Sequence, residues 1–290
     1  MRRILVVDPW EDVHEAYQPE SRFYFAQAWG IPTYHEYGEG IPRWRHLSTI
    51  RRGVGSLEAA QELAGKDAPV YHLDMKPPQA GMFKGGKGLI IGNGNSAGRA
   101  LKLAGSYDVK FCANAGYPAF TQLAYEQHDW FWFAPEVDSF HFRWFYNVPP
   151  YFKKILNPQK RLFPLEIYDP MAETYFVDRG WNDPLDVRDY GIGLQDHHPC
   201  MIGSGTYLLN SLHLMSIMGC DKIGVVGCEL DWREGEEGAH FYEDKSVSPP
   251  QWRKNFDNAA RIVGGQLKHF REQGVEIEFI TPSKAQEFDK

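Results

Sequence analysis

Four short segments of this chain bring together residues suited to holding a polar ligand: Gly92-Asn93-Gly94-Asn95-Ser96, Asn114-Ala115-Gly116, Gly203-Ser204-Gly205-Thr206 and Gly227-Cys228-Glu229-Leu230-Asp231. In the first, glycines at 92 and 94 allow positive φ and a close backbone approach to a ligand. A helix start after them would offer unpaired N–H groups to an anion. The turn lacks both the three spaced glycines of a dinucleotide fingerprint and the Gly-Lys-Ser/Thr ending of a P-loop. It also fits a tight strand-to-helix turn that binds nothing. Two further groupings raise a metal question. Glu229-x-Asp231 has the hard oxygen donors that suit Mg²⁺, whereas His197-His198-Pro199-Cys200 has zinc-type donors but no second pair at ligand spacing.

Positioning such segments needs strands and helices in alternation, and the pattern supplies them. Leu89 to Ile91, Val109 to Ala113, Trp130 to Phe133, Lys222 to Val226 and Glu276 to Ile280 read as strands. Ala97 to Ala104, Ala119 to Gln127, Thr206 to Met218 and Gln251 to Gln273 read as helices. This succession predicts an α/β fold, a Rossmann-like and mostly parallel sheet flanked by helices. Ligands of such sheets sit beyond the carboxyl ends of the strands, where three of the four segments fall. In the last helix Phe256, Ala259, Ala260, Val263, Leu267 and Phe270 recur at three- and four-residue spacings, which predicts one apolar face. Toward the N-terminus, Arg3 to Val7 and Val70 to Leu73 read as strands, with little periodicity between them. Breakers at Met75 to Pro78 and Lys84 to Lys87 predict a linker or loop. The expected division is an N-terminal extension over 1–85 and a nucleotide-binding core over 86–290.

Composition narrows the classes. The 290 residues carry 31 basic and 38 acidic side chains, net −7, so the charge balance does not indicate a nucleic-acid partner. The clusters Arg43, Arg45, Arg51, Arg52 and Lys153, Lys154, Lys160, Arg161 read as solvated faces. Cysteines at 112, 200, 220 and 228 show no C-x-x-C spacing, which fits a reducing, cytoplasmic setting. No membrane span is encoded. Aromatic residues, 14% of the chain, concentrate at Trp130 to Phe133 and Phe140 to Tyr146. Core packing is their commoner use, with a stacking pocket or a homo-oligomer surface as alternatives.

In order, these segments resemble the core of the bacterial lipooligosaccharide sialyltransferases and the archaeal hydroxymethyldihydropterin pyrophosphokinases, a superfamily once grouped as a domain of unknown function. Gly92-Asn93-Gly94-Asn95-Ser96 is similar to their Gly-Asn-Gly-Pro-Ser turn, with Asn95 in place of proline. Phe111-Cys112-Ala113-Asn114 resembles a Cys-Asn pair with one residue added. Ser204-Gly205-Thr206-Tyr207, Gly219-Cys220-Asp221-Lys222-Ile223 and Gly227-Cys228-Glu229 follow the family succession, and Phe279-Ile280-Thr281-Pro282-Ser283 resembles its last strand. The likeness spans roughly 86 to 290.

The resemblance implies that Gly92, Asn93, Gly94, Ser96 and Asn114 hold the phosphate and ribose of a nucleotide, with Ser204, Gly205 and Thr206 closing around base or sugar. It gives Glu229 the role of accepting hydrogen bonds from a ribose or donor hydroxyl; its other reading is a loop or cap carboxylate. His240 and Tyr242 fall where the sialyltransferases support the departing phosphate, and their proton and phenol chemistry suits that task. The family's later histidine is missing: that span reads Ser246-Val247-Ser248-Pro249-Pro250-Gln251-Trp252. Asp231, Asp244 or His197-His198 would then take the acceptor's proton. Three functions stay open: a glycosyltransferase using a nucleotide-sugar donor and no tightly bound cofactor, a Mg²⁺-ATP-dependent pyrophosphokinase acting on a small heterocycle, and a nucleotide-binding protein without catalysis. The acceptor is not legible.

Overall fold

The structure is a computed structural model, and it describes residues 3–8, 23–27, 34–37, 41–44, 52–54, 58, 61–62, 65–68, 70–74, 78–137, 148–158, 173–179, 200–201, 206–231 and 249–289. In chain order the N-terminal strands are β1 (Arg3–Asp8), β2 (Phe23–Gln27), β3 (Tyr34–Tyr37), β4 (Ile41–Trp44), β5 (Arg52–Val54) and β6 (Val70–Asp74). β1 and β6, the two strands expected from sequence, pair in parallel within a four-stranded sheet of order β5-β2-β1-β6. β2 to β5, three to five residues each, lie in the stretch that showed little periodicity; strands this short give alternation few positions in which to repeat.

The second sheet is the larger. It consists of β7 (Gly86–Ile91), β8 (Val109–Ala113), β9 (Trp130–Val137), β10 (Lys153–Pro158), β11 (Thr174–Phe176), β14 (Cys220–Val226) and β15 (Glu276–Phe279). Between β11 and β14, β12 (Asp178–Arg179) and β13 (Cys200–Met201) form a separate parallel pair. All seven strands of the larger sheet run parallel, in the order β11-β10-β9-β8-β7-β14-β15. The expected Rossmann-like α/β sheet is therefore present. From β7 the chain adds strands outward to β11, then returns to the other side of β7 with β14 and β15, so strand order reverses at the β7–β14 pair.

Local rules account for the helices. α1 (Ala100–Leu103) is one α turn between 3₁₀ turns at Ala97–Arg99 and Ala104–Ser106, a correction to the helix expected over 97–104. Likewise α2 (Thr121–Glu126) is preceded by a 3₁₀ segment, Asn114–Phe120, that contains Pro118; its missing N–H and ring discourage the α-helical ladder there. α3 (Tyr207–Ile217) starts at Thr206, whose Oγ1 accepts from the Leu209 N–H at 3.1 Å, a standard N-cap. α4 (Pro249–Glu272) opens with prolines in its first turn, where no N–H is needed. It closes at Gly274, φ +84°, with Gly274 N–H donating to Arg271 O and Val275 N–H to Phe270 O. That is the paired-bond helix ending which glycine favours.

The aromatic run of β9 divides between the two faces of the sheet by the two-residue strand period. Phe131 and Phe133 join Phe111, α3 and α4 in one core cluster. Trp130 stacks on Phe120 with ring centroids 5.6 Å apart and meets Phe152 edge-on. All four side chains of the run are buried, so core packing is their use. On α4, Ala260, Val263, Leu267 and Phe270 are buried as the spacing predicts, while Phe256 and Ala259 are half-buried. The breaker-rich segment before β7 is not a free linker. Gly81, Phe83 and Gly85 donate backbone hydrogen bonds to Ile217, Met218 and Gly219, and β7 begins at Gly86 rather than Leu89.

His213 of α3 is a buried titratable group of this core. It is 1% exposed, neither ring nitrogen has a hydrogen-bond partner, and its ring meets the Phe270 ring edge-on at 5.5 Å. Burial, with His269 adding to it, pushes its pKa from 6.5 down to about 4. Between those values the unfolded chain binds the proton and the folded chain does not, so stability is full above about 6.5 and is lost as pH falls toward 4. The loss should reach on the order of 3 kcal/mol. Thermal unfolding of the parent and His213→Leu across this range should show a shallower pH slope in the variant. Equal slopes would assign the acid sensitivity to other groups.

Candidate functional site

A cavity of about 950 Å³ opens beyond the carboxyl ends of β7, β8, β14 and β15, at the point where strand order reverses. This is where open parallel sheets bind ligands. The turns after β7 and β14 form its floor, the ends of β8 and β15 and the start of α3 contribute Asn114, Thr281 and Thr206 to Leu208, and one face of α4 closes a side. Of the residues singled out in the sequence, Gly92, Asn93, Gly94, Ser96, Asn114, Thr206, Glu229 and Asp231 all border this one space. Ser204, Gly205, His240, Tyr242, Asp244, His197 and His198 lie outside the described residues.

The turn after β7 is tied to the turn after β14. Gly92 N–H donates to Val226 O and Gly94 N–H to Gly227 O, both at 2.8 Å. Ser96 N–H donates to Glu229 Oε1 at 3.2 Å, and the Ser96 hydroxyl donates to the same oxygen. Ser96 Oγ also accepts from Gly227 N–H at 3.2 Å and lies 3.0 Å from Thr281 Oγ1. From the C-terminal side, Lys284 N–H donates to Glu229 O at 2.8 Å. The carboxylate of Glu229 is thus seated on the turn where the resemblance places a phosphate. With Ala97 N–H given to Gly94 O at 3.0 Å, the amides of residues 92, 94, 96 and 97 are all spent on protein oxygens. The helix beyond is a 3₁₀ turn followed by four α-helical residues, too short to build a dipole of consequence.

The glycines answer to this contact and not to the left-handed conformation expected of them. Neither Gly92 nor Gly94 has positive φ. A Cβ on Gly92 would stand 2.1 Å from Gly227 O, and one on Gly94 would stand 1.8 Å from Glu229 Oε2. Gly227 does have positive φ, +70°, and its Cβ would meet Ala97 at 2.9 Å. Close approach of the two turns therefore selects glycine at 92 and 94, and adds to the positive φ that selects it at 227.

Asn114 adopts φ +50°, a conformation asparagine tolerates better than most residues, and its carbonyl accepts from Trp132 Nε1 at 2.9 Å. Its side-chain Oδ1 is buried without a hydrogen-bond partner, and so is Glu229 Oε2. A buried acceptor left unpaired costs about 1–3 kcal/mol, which a ligand donor would recover. Thr206 spends its Oγ1 on capping α3. Cys228 is buried, and burial with the neighbouring Glu229 pushes its thiol up, so it stays protonated and is a poor nucleophile. Burial also holds the Tyr207 phenol well above its ordinary range.

Several lining residues carry no motif. Asn255, Phe256, Asn258 and Ile262 reach the cavity from α4, and Arg99 from the 3₁₀ turn after Ser96. The signal for two of them was present in the sequence: asparagine is a weak helix former, and two of them three residues apart, at 255 and 258, share one face of a long helix. With Asn93, Asn95 and Asn114, five amide side chains surround the space. Arg99 is the lone cation among the described lining residues, against the carboxylates of Glu229 and Asp231. Among the described residues no set of three His, Cys, Asp or Glu side chains is arranged to hold a metal ion. No helix there is long and apolar enough to cross a membrane.

Compared with known proteins, the chain matches no family model, no curated protein and no solved structure.

The turn-to-turn contact makes a graded expectation. Gly92→Ala and Gly94→Ala should each lower stability by about 2 kcal/mol or more, because the first clashes with backbone and the second with the seated carboxylate. Gly98→Ala, whose Cβ meets nothing within 4 Å, should be neutral or slightly stabilising. Urea unfolding of the three variants checks the order, and equal effects would mean that close approach does not select these glycines.

Proposed function

We propose that the cavity binds a nucleotide sugar and that the protein is a glycosyltransferase that passes the sugar to a hydroxyl acceptor. The observation that carries this reading is the lining at the strand-order reversal: five asparagines, with Asn114 Oδ1 and Glu229 Oε2 unpaired. Amides and a carboxylate oxygen accept from the hydroxyls of ribose and sugar, while Tyr207, Phe256 and Ile262 offer apolar surface to a base. In the transfer, an acceptor oxygen forms a bond to the anomeric carbon as the bond from that carbon to the nucleotide's phosphate oxygen breaks. The phosphate leaves with the bonding electrons, and the acceptor's proton passes to a base. Asp231, exposed at the cavity, is the described carboxylate fitted to take it. His240 and Tyr242 keep the supporting roles that the resemblance implies.

The pyrophosphokinase alternative would need the Glu229-x-Asp231 oxygens for Mg²⁺. One oxygen of Glu229 already accepts two hydrogen bonds from Ser96, and this favours sugar transfer.

Thermal stabilisation of the protein across CMP, CDP, UDP, GDP, ADP and ATP, with and without Mg²⁺, tests the reading. A ligand at 100 times its Kd adds about 2.7 kcal/mol. The expected result is a metal-independent shift with at least one nucleotide, reduced in Asn114→Ala. A shift confined to ATP with Mg²⁺ would point to the pyrophosphokinase, and no shift with any nucleotide would overturn the proposal.

A further inference from the structure

If the cavity holds a nucleotide, as proposed above, one of its parts is an anion, and that anion needs a place. The obvious seat, the turn after β7, is taken. Its amides at 92, 94, 96 and 97 donate within the protein, and the Glu229 carboxylate rests on Ser96. A phosphate brought there would meet a carboxylate at close range, where like charges repel by several kcal/mol at an effective dielectric of 20. The oxygens left unpaired nearby, Asn114 Oδ1 and Glu229 Oε2, are acceptors and offer a phosphate no proton.

The complementary group lies on the turn that follows. Arg99 closes the 3₁₀ segment Ala97–Arg99, borders the same cavity and is exposed. It is the lone cation among the described lining residues. A guanidinium presents a planar fork of donors that fits phosphate oxygens two at a time.

We infer that the ligand lies in one polarity, with its phosphate on the Arg99 guanidinium and its hydroxyl-bearing sugar against Asn114 and Glu229. The glycine-rich turn is then an internal clasp that presents a carboxylate, and Arg99 is the phosphate-binding residue. The cavity distinguishes the two ends of the ligand by charge: the Glu229 carboxylate repels the phosphate and the Arg99 guanidinium attracts it.

Calorimetric titration with nucleoside and nucleoside monophosphate pairs of cytidine, uridine, guanosine and adenosine tests this on the full chain. The parent should bind the monophosphate of its preferred base about ten- to a hundredfold more tightly than the nucleoside. Arg99→Ala should lose that advantage and keep the nucleoside affinity; because the side chain is exposed, circular dichroism should show an unchanged fold. Arg99→Lys should keep part of the advantage, as a point charge without the fork. Glu229→Gln should weaken the nucleoside and, with the repelling carboxylate gone, keep or enlarge the phosphate advantage. A phosphate advantage undiminished in Arg99→Ala overturns the assignment while the nucleotide reading stands. Failure of the parent to bind any nucleoside or nucleotide overturns both.

Discussion

The contact between Ser96 and Glu229 is the interaction on which the site depends. It ties the turn after β7 to the turn after β14 at the place where two adjacent parallel strands lead the chain in opposite directions. Such a reversal leaves a crevice; backbone hydrogen bonds from Gly92 and Gly94 already join its two turns, and the Ser96–Glu229 contact adds a side-chain tie. Here the Ser96 amide and hydroxyl hold one carboxylate oxygen, Gly227 N–H and Thr281 hold the serine, and Lys284 N–H holds the Glu229 backbone. Three turns from strands remote in sequence thus share one hydrogen-bonded set. Mutual polarisation strengthens such sets in a partly buried setting.

The rest of the fold supplies the stiffness this arrangement needs. β8 is buried along its whole length, and Phe111, Phe131 and Phe133 pack beneath α3 while Trp130 and Phe152 pack on the opposite face. Burial of each large side chain contributes roughly 1.5–3 kcal/mol, so the carboxyl edge of the sheet has little freedom to move. At the C-terminal end, the 3₁₀ turn Lys284–Phe288 carries a capping box at Ser283 and Gln286. It lies so close to α4 that a Cβ on Gly264 would stand 2.3 Å from Ala285 O. Lys284 also pairs with Asp257 of α4 at 2.6 Å, fixing the helix that brings Asn255 and Asn258 to the cavity.

Much of the candidate site is legible in the sequence. The glycines and short polar side chains of 92–96, 114 and 227–231 fall at strand ends, and the sheet gathers them around one cavity. What these residues do there was less legible. Glycine at 92 and 94 looks the same in sequence whether a ligand or another turn approaches it. Only the neighbouring strand, more than a hundred residues away, decides between them. Thr206 illustrates the same ambiguity, since its hydroxyl caps α3. Arg99 and the α4 asparagines are not legible as site residues in the sequence, because they belong to no motif and become neighbours of the cavity only through tertiary packing.

By itself the sequence determined the alternation of strands and helices, the parallel sheet, the apolar face of α4 and the strand ends at which small polar residues collect. These follow from local periodicity and from the conformational limits of glycine, proline and capping residues, all of which act within a few positions of the chain. The tertiary structure alone decided that Glu229 would sit on the β7 turn and that the amides of residues 92, 94, 96 and 97 would be spent within the protein. Those outcomes rest on the register of β7 against β14. Register is fixed by the packing of whole strands and leaves no trace in any short segment.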